Sequence, residues 1–196
     1  MLTLCLRAAA AALCLAAVTL AQGLQVYHFD SPRRASNVVL FGPDGAAGVT
    51  VVHGQPEWKK EYDGMLGALK GKTLRLGKDL WTTFMTSAEV ELGGVAVAPG
   101  CYCVGLQCDK DGRFSLAMMD ATATMKKGLM PFGPQTWKPA LVVPLKFEKG
   151  VIKGVVQKME IKLYGDEEDK TKGAFAVLWG THSLSAPMKI RVPASK

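Results

Sequence analysis

The amino-acid sequence predicts an all-β protein, built as a single antiparallel β-sandwich or flattened barrel with one short helix. Apolar and polar residues alternate along many short runs, as they do in strands that bury one face. Clusters of Gly, Pro and Asp separate these runs, and only one segment follows a helical period. A chain of 196 residues has the size of one domain, so the strands are expected to share one core.

Residues 1–21 have the pattern of a secretory signal peptide. A short segment containing Arg7 precedes an unbroken apolar run at 8–20, and Thr19 and Ala21 supply the small residues that a signal peptidase needs. The run is shorter and richer in Ala than a membrane span of ~20 residues. We therefore predict a signal peptide over 1–21, a single β domain over 22–196 with no transmembrane segment, and an exported protein, periplasmic or extracellular. A buried N-terminal helix is the alternative.

Two hairpins are expected in the first half of the domain. Residues 37–41 and 49–53 are strand candidates, and the Gly-Pro-Asp-Gly sequence at 42–45 turns the chain between them. The runs on either side of Gly93-Gly94 form a second hairpin, because a Gly pair supplies the positive φ that a two-residue turn requires.

Further strands continue the meander. Cys101 and Cys103 are predicted to point to one face of a strand, while Tyr102, Val104 and Leu106 point to the other. Cys108 has the parity opposite to the first two cysteines. We interpret the three thiols as packing residues, with a Cys101–Cys103 bond or an intermolecular bond as the alternative.

The C-terminal third repeats the alternating pattern. Met159, Ile161 and Leu163 are expected to be buried, and the charged residues between them are expected to face solvent. Gly180-Thr181 is predicted to be a second two-residue turn. Trp179 and His182, which flank it, should lie opposite each other on one face, with His182 packed on Trp179.

One segment breaks the strand period. Between Pro56 and Leu69 the large apolar residues fall on one face of a helix, and Pro56 suits a first helical turn. Gly64 and Gly67 weaken the helix, so a short helix, or a helix followed by a turn, is expected. A second irregular stretch, 120–139, is expected to cap one end of the domain.

The net charge of +7 comes mainly from lysine, with eighteen Lys and six Arg. Arg is the residue suited to bidentate phosphate recognition, whereas Lys is a hydrated point charge. Lys158 and Lys162 alternate with apolar residues, the pattern of a solvated sheet face rather than of a basic stripe. A nucleic-acid partner is therefore not predicted.

The chain resembles an uncharacterised family of exported bacterial proteins, catalogued as domain of unknown function 2911. The resemblance is carried by Gly54-Gln-Pro-Glu-Trp-Lys-Lys-Glu-Tyr-Asp63, by Leu74-Arg-Leu-Gly-Lys-Asp-Leu-Trp-Thr-Thr83 and by Val95-Ala-Val-Ala-Pro-Gly100 with Tyr102. It continues in the strands that close the domain, and it spans residues 30–192. Where many members have Asn and Glu, this chain has Asp79 and Leu80. The resemblance implies a bacterial envelope origin and no particular reaction.

No catalytic motif, cofactor motif or metal-ligand spacing is present in the sequence. The candidate ligand-binding residues lie where two irregular segments, 53–63 and 75–82, are expected to meet, because irregular backbone on a rigid sheet is where sites concentrate. They are His53, Glu57, Trp58, Arg75, Lys78, Asp79 and Trp81.

Two functions follow from these residues. The favoured hypothesis is a non-catalytic exported β-domain that binds a small ligand or an envelope component, with Trp58 and Trp81 as an apolar or sugar-stacking platform. The alternative is a hydrolase with an unfamiliar site around His53, Glu57 and Arg75. Arg75 is expected to face outward between inward Leu74 and Leu76, either meeting a ligand or forming a structural ion pair.

Overall fold

A computed structural model describes residues 32–42, 45–131 and 137–191. The predicted signal peptide at 1–21, the centre of the turn at 43–44 and the segment 132–136 lie outside these residues. The fold class is confirmed, since one antiparallel sheet curls into a nearly closed barrel.

Twelve strands form this sheet. In chain order they are β1 (Arg33–Gly42), β2 (Gly45–Gly54), β3 (Lys72–Arg75), β4 (Thr82–Thr86), β5 (Glu89–Leu92), β6 (Val95–Val97), β7 (Gly100–Cys108), β8 (Phe114–Asp120), β9 (Leu141–Glu148), β10 (Val156–Gly165), β11 (Lys172–Gly180) and β12 (His182–Arg191). The wall of the barrel follows the order β1-β2-β4-β7-β8-β9-β12-β11-β10, while β3 pairs with β7 and β5 pairs with β12 and β6.

Both predicted two-residue hairpins are present. Leu92 pairs with Val95 across Gly93 and Gly94, whose φ angles are 56° and 82°. Trp179 pairs with His182 across the second turn, so their side chains share a face as expected.

The helical segment is a short helix followed by a turn, as expected. Helix α1 (Tyr62–Met65) runs into a single 3-10 turn at Leu66–Leu69, and we call residues 56–69 the roof. Its first residues are extended because they pair with β10: Trp58 N–H donates to Gln157 O at 2.6 Å, and Met159 N–H donates to Pro56 O at 3.0 Å. Backbone pairing therefore replaces the first helical turn.

A second helix, α2 (Ala121–Lys126), lies within the stretch that the sequence marked as irregular. The side chain of Asp120 caps it by accepting from the Ala123 N–H at 2.6 Å. The sequence does contain a helix start, an Asp cap followed by Ala-Thr-Ala-Thr. The prolines farther along favoured an irregular segment instead.

The core fills the barrel along the predicted stripes. Met159, Ile161 and Leu163 are buried, and the intervening Glu160 and Lys162 form an exposed ion pair at 2.6 Å. The seam between β10 and the first two strands is closed by side chains. Leu163 N–H donates to Ser36 Oγ at 2.7 Å, and Ile161 N–H donates to His53 Nε2 at 3.2 Å.

The two ends of the barrel are closed differently. The β5–β6 hairpin pairs along the last residues of β12 and buries Val90, Leu92 and Val97 completely. The roof covers the other end, where β12 begins, and none of the residues of α1 or of the 3-10 turn is buried. The two ends of β12 are roughly 20 Å or more apart at ~3.3 Å per residue.

Candidate functional site

A cavity of about 320 Å³ lies beneath the roof, at the end of the barrel opposite the hairpin. Apolar side chains dominate its lining, which consists of Pro56, Trp58, Tyr62, Met65, Leu66, Leu69, Leu74, Leu76, Leu106, Phe114, Phe147, Met159, Val177, Trp179 and Leu184, together with Arg75, Gly77, His182 and Ser183. This volume is within the range of ~300–1,000 Å³ that small-molecule sites occupy.

Strand alternation explains why the walls are apolar. Phe114 begins β8, Phe147 lies near the end of β9, and Val177 lies near the end of β11. Because neighbouring strands are antiparallel, the start of one lies beside the end of the next, and these inward side chains meet at one end of the barrel. The hairpin fills the opposite end, so the unfilled space is confined to the roof end.

The cavity opens to solvent at an apolar rim. Met65 on the roof and Leu74 on β3 both line it, yet they are 53% and 42% exposed. Leu74 is inward as predicted, because it pairs with Leu106 across β3 and β7. Leu74 is exposed because it faces the open cavity, where no side chain covers it.

Three aromatic rings join the roof to the wall. The Trp58 ring meets Tyr62 and Trp179 edge-on at centroid distances of 5.7 and 5.1 Å, and Tyr62 and Trp179 are also 5.1 Å apart. The indole N–H of Trp179 donates to Pro56 O at 3.0 Å. Gly180 admits the Trp58 ring, since a Cβ at this position would overlap it.

His182 connects the wall to helix α1. The Gly150 N–H donates to His182 Nδ1 at 3.2 Å, which places the ring proton on Nε2, and Nε2 donates to Asp63 Oδ1 at 2.6 Å. The His182 ring packs against Trp58 and Phe147 at 5.4 and 5.7 Å. The His182 ring therefore packs against Trp58 and Phe147 rather than against Trp179, its predicted partner.

Arg75 has the predicted outward parity. It pairs with Gly105, on the face of β7 opposite the core, and its Nη1 donates to the backbone oxygen of Asp79 at 3.0 Å. Asp79 has a φ of 64°, so this bond holds a turn with a left-handed residue. Arg75 borders the cavity, but its guanidinium donates to the backbone of the turn.

His53 and Glu57 lie apart from the cavity lining. His53 is only 1% exposed, and burial lowers the pKa of its ring, an effect that Arg33 and Arg34 reinforce and that Met159 O and Glu160 oppose. Within the described residues, its Nδ1 has no hydrogen-bond partner. Glu57 is exposed and pairs through its backbone with Lys158. These two residues therefore belong to the β10 seam.

Lys78 and Trp81 also lie outside the cavity lining. Lys78 is exposed, and its carbonyl oxygen packs so closely on Gly54 that a Cβ there would overlap it. Trp81 meets Trp137 edge-on at 5.2 Å on the outer face of the sheet, where Cys101, Cys103, Met119 and Ala121 complete a separate apolar cluster. The predicted Trp58–Trp81 platform is therefore not formed.

The cysteines follow the predicted parity. Cys101 and Cys103 belong to the outer cluster, and Cys108 lies in the core. Within the described part of the chain all three are unpaired thiols. Burial raises the pKa of Cys103 to about 11, with Cys101 and Asp120 adding to the effect, so this thiol is a packing group and a poor nucleophile at neutral pH.

Of the seven candidate residues, Trp58 and Arg75 border the cavity. The lining that sequence reasoning missed comes from strand residues far apart in the chain, including Phe147, Trp179 and His182. A partial signal was available, because the helical face at 58, 62, 65, 66 and 69 supplies the roof residues of the cavity. Nothing in the sequence shows which strand ends this face covers.

Comparisons with protein-family models, with curated proteins and with solved structures give no match to this chain. The resemblance to domain of unknown function 2911 therefore stays a prediction. In the described ranges, no group of three or more His, Cys, Asp and Glu side chains is placed to hold a metal ion. None of the helices described there has the length and apolar character needed to cross a bilayer.

Proposed function

We propose that this protein is an exported, non-catalytic β-domain of the bacterial cell envelope that holds a small molecule in the cavity beneath its roof. The observation that carries the proposal is an open, apolar-lined cavity of about 320 Å³ in an otherwise well-packed barrel. Protein interiors are normally packed to the density of organic crystals, so an open space of this size at one end of the barrel gives room for a small ligand.

The rim supports the same proposal. Full burial of an apolar side chain is worth about 1.5–3 kcal/mol, and both Met65 and Leu74 are only about half buried at the cavity mouth. A ligand seated between them would cover both. Barrels of about eight strands have interior space for one small ligand, and the nine-strand wall found here fits this relation.

The arrangement of His53, Glu57 and Arg75 favours binding over the hydrolase hypothesis. A hydrolytic site needs its base and its nucleophile to converge on one concave surface. His53 is buried in the seam, Glu57 is exposed on the strand side of the roof, and Arg75 is bonded to its own turn. His182 is at the cavity, but Gly150 and Asp63 already occupy both of its nitrogens.

Export is proposed from the sequence of residues 1–21 alone. Intact-mass measurement of the extracytoplasmic protein is expected to find a first residue at or near Gln22. A mass that retains Met1 would contradict the proposal of a cleaved signal.

The binding proposal is tested by closing the cavity mouth. A thermal-shift screen against apolar compounds, sugars, metals and envelope lipids comes first, because a ligand at a hundred times its dissociation constant adds about 2.7 kcal/mol of stability. Leu74→Trp should abolish the shift by filling the mouth. Val142→Trp is the matched control, since Val142 is an exposed strand residue (44%) that is not part of the lining. A shift that survives Leu74→Trp would place the binding elsewhere.

A further inference from the structure

We propose that the cavity selects an uncharged, mainly apolar molecule of about ten non-hydrogen atoms, and that it discriminates against the ionised form of the same molecule. The size follows from the volume of about 320 Å³, which corresponds to roughly ten water-sized groups at ~30 Å³ each. This inference rests on the proposed ligand-binding function and adds the chemical class of the ligand.

The polar groups of His182 and Trp179, which line the wall of the cavity, already have hydrogen-bond partners. Both nitrogens of His182 have partners, and the indole N–H of Trp179 is bonded to Pro56 O. A ligand carboxylate or ammonium placed against these groups would have to break an existing bond to gain one. An unpaired buried ion is far more costly than an unpaired neutral group, so ionised ligands are disfavoured at this depth.

The one residue with a full charge among the described lining residues does not compensate for this cost. Arg75 shares the outer face of the sheet with Gly105, and its guanidinium is held by the Asp79 backbone oxygen. It therefore has the strand parity opposite to that of inward Leu74 and Leu76, although it borders the cavity. An anion within the barrel would meet a guanidinium that is already bonded to the turn.

The roof provides partners for a neutral polar end. Trp58 and Tyr62 lie half-buried in the roof, and within the described residues neither the indole N–H nor the hydroxyl has a hydrogen-bond partner. The indole can donate, and the hydroxyl can donate or accept, so the pair suits an alcohol or carbonyl oxygen. The residues of the rim, Met65 and Leu74, are apolar.

The test compares three ligands that share a chain and differ in charge. The binding of 1-octanol, octanoate and octylamine to the purified protein is measured by titration calorimetry at pH 7. We expect 1-octanol to bind at least tenfold more tightly than either ion. Octanoate binding as tightly as 1-octanol would overturn the charge selectivity and leave the proposed binding function standing. No binding of 1-octanol, or binding unaffected by Leu74→Trp, would overturn both.

The position of the bound ligand is measured with a brominated analogue that quenches tryptophan fluorescence. 8-Bromo-1-octanol should quench the fluorescence of Trp58 and Trp179, and Trp179→Phe should reduce the quenched fraction, whereas Trp81→Phe on the outer face should not. Equal effects of the two substitutions would contradict an occupant in the barrel.

The position of the polar end is tested by adding a charge to the rim. Met65→Lys should shift the preference several-fold toward octanoate, because it gives the anion a partner at the mouth. Met125→Lys is the matched control, since Met125 is an exposed helical methionine (64%) on α2. An unchanged ratio in Met65→Lys would show that the polar end does not reach the rim.

Discussion

The two ends of this barrel are closed in different ways. At one end the β5–β6 hairpin extends the sheet through backbone pairing with β12 and inserts Val90, Leu92 and Val97 into the core. At the other end, residues 62–69 of the roof contribute no buried residue. Among the described hydrogen bonds, the one that joins them to the barrel is Asp63–His182.

This difference shows how a barrel can be stable and still keep internal space. The hairpin end has the ladder bonds and the complete apolar burial from which most folding free energy derives. Pro56 and Trp58 are held by backbone bonds to β10, but residues 62–69 of the roof depend on ring contacts and one side-chain hydrogen bond. Residues 62–69 therefore add little stability and can be displaced at low cost. Ligand-binding segments are generally drawn from such weakly held parts of a fold.

The largest expected effect is on stability at the hairpin end. Leu92→Ala removes a fully buried side chain that pairs opposite Met188, and we expect it to lower the free energy of unfolding by about 3 kcal/mol. Leu66→Ala at the roof should cost less than about 1 kcal/mol, because Leu66 is already half-exposed at the cavity. Urea unfolding of both variants measures the contrast. Equal losses would mean that the roof is as well packed as the hairpin.

The second effect is a pH dependence of stability that arises from His53 in the wall of the barrel rather than from either end. Burial lowers the pKa of His53 in the folded state, so the unfolded chain binds the proton more readily. The stability linked to His53 is therefore complete above about pH 6.5 and falls as the pH drops below it, by at most about 1.4 kcal/mol per pH unit. Unfolding measured between pH 7 and 5.5 should show this slope.

The control for the pH effect lies in the same seam. His53→Gln removes the titrating ring, and the slope should become shallower. Ser36→Ala weakens the neighbouring seam bond to Leu163 without removing a titrating group, so it should lower stability at every pH and keep the slope. A slope that persists in His53→Gln would assign the effect to another group.

The smallest effect on stability is expected at the roof bond. Asp63→Ala removes one hydrogen bond whose acceptor is partly exposed, so the loss should be about 1 kcal/mol or less. Amide hydrogen exchange over residues 62–70 should nevertheless become faster, and 1-octanol should associate faster. Glu61→Ala is the control, because Glu61 precedes the same helix without a side-chain capping bond. Similar exchange in both variants would show that His182 does not hold the roof.

Local patterns in the sequence determined much of the fold. Period-two alternation identified the buried faces of β7 and β10, and Gly93-Gly94 and Gly180-Thr181 located both two-residue turns. These features depend on neighbouring residues and on allowed φ values, which a single sequence contains. The helical face of the roof was also visible, although its first residues pair with β10 instead of starting the helix.

The tertiary structure alone decided which strand ends meet and which space stays empty. Trp58 and Trp81 were both expected where two irregular segments meet, yet one lies against Gly180 beside the cavity and the other lies across the sheet against Trp137. His182 becomes part of the site because Asp63, 119 residues earlier in the chain, reaches it from the roof. Contacts over such separations depend on strand order and barrel closure, and a cavity is a property of the whole packed set of side chains rather than of any segment.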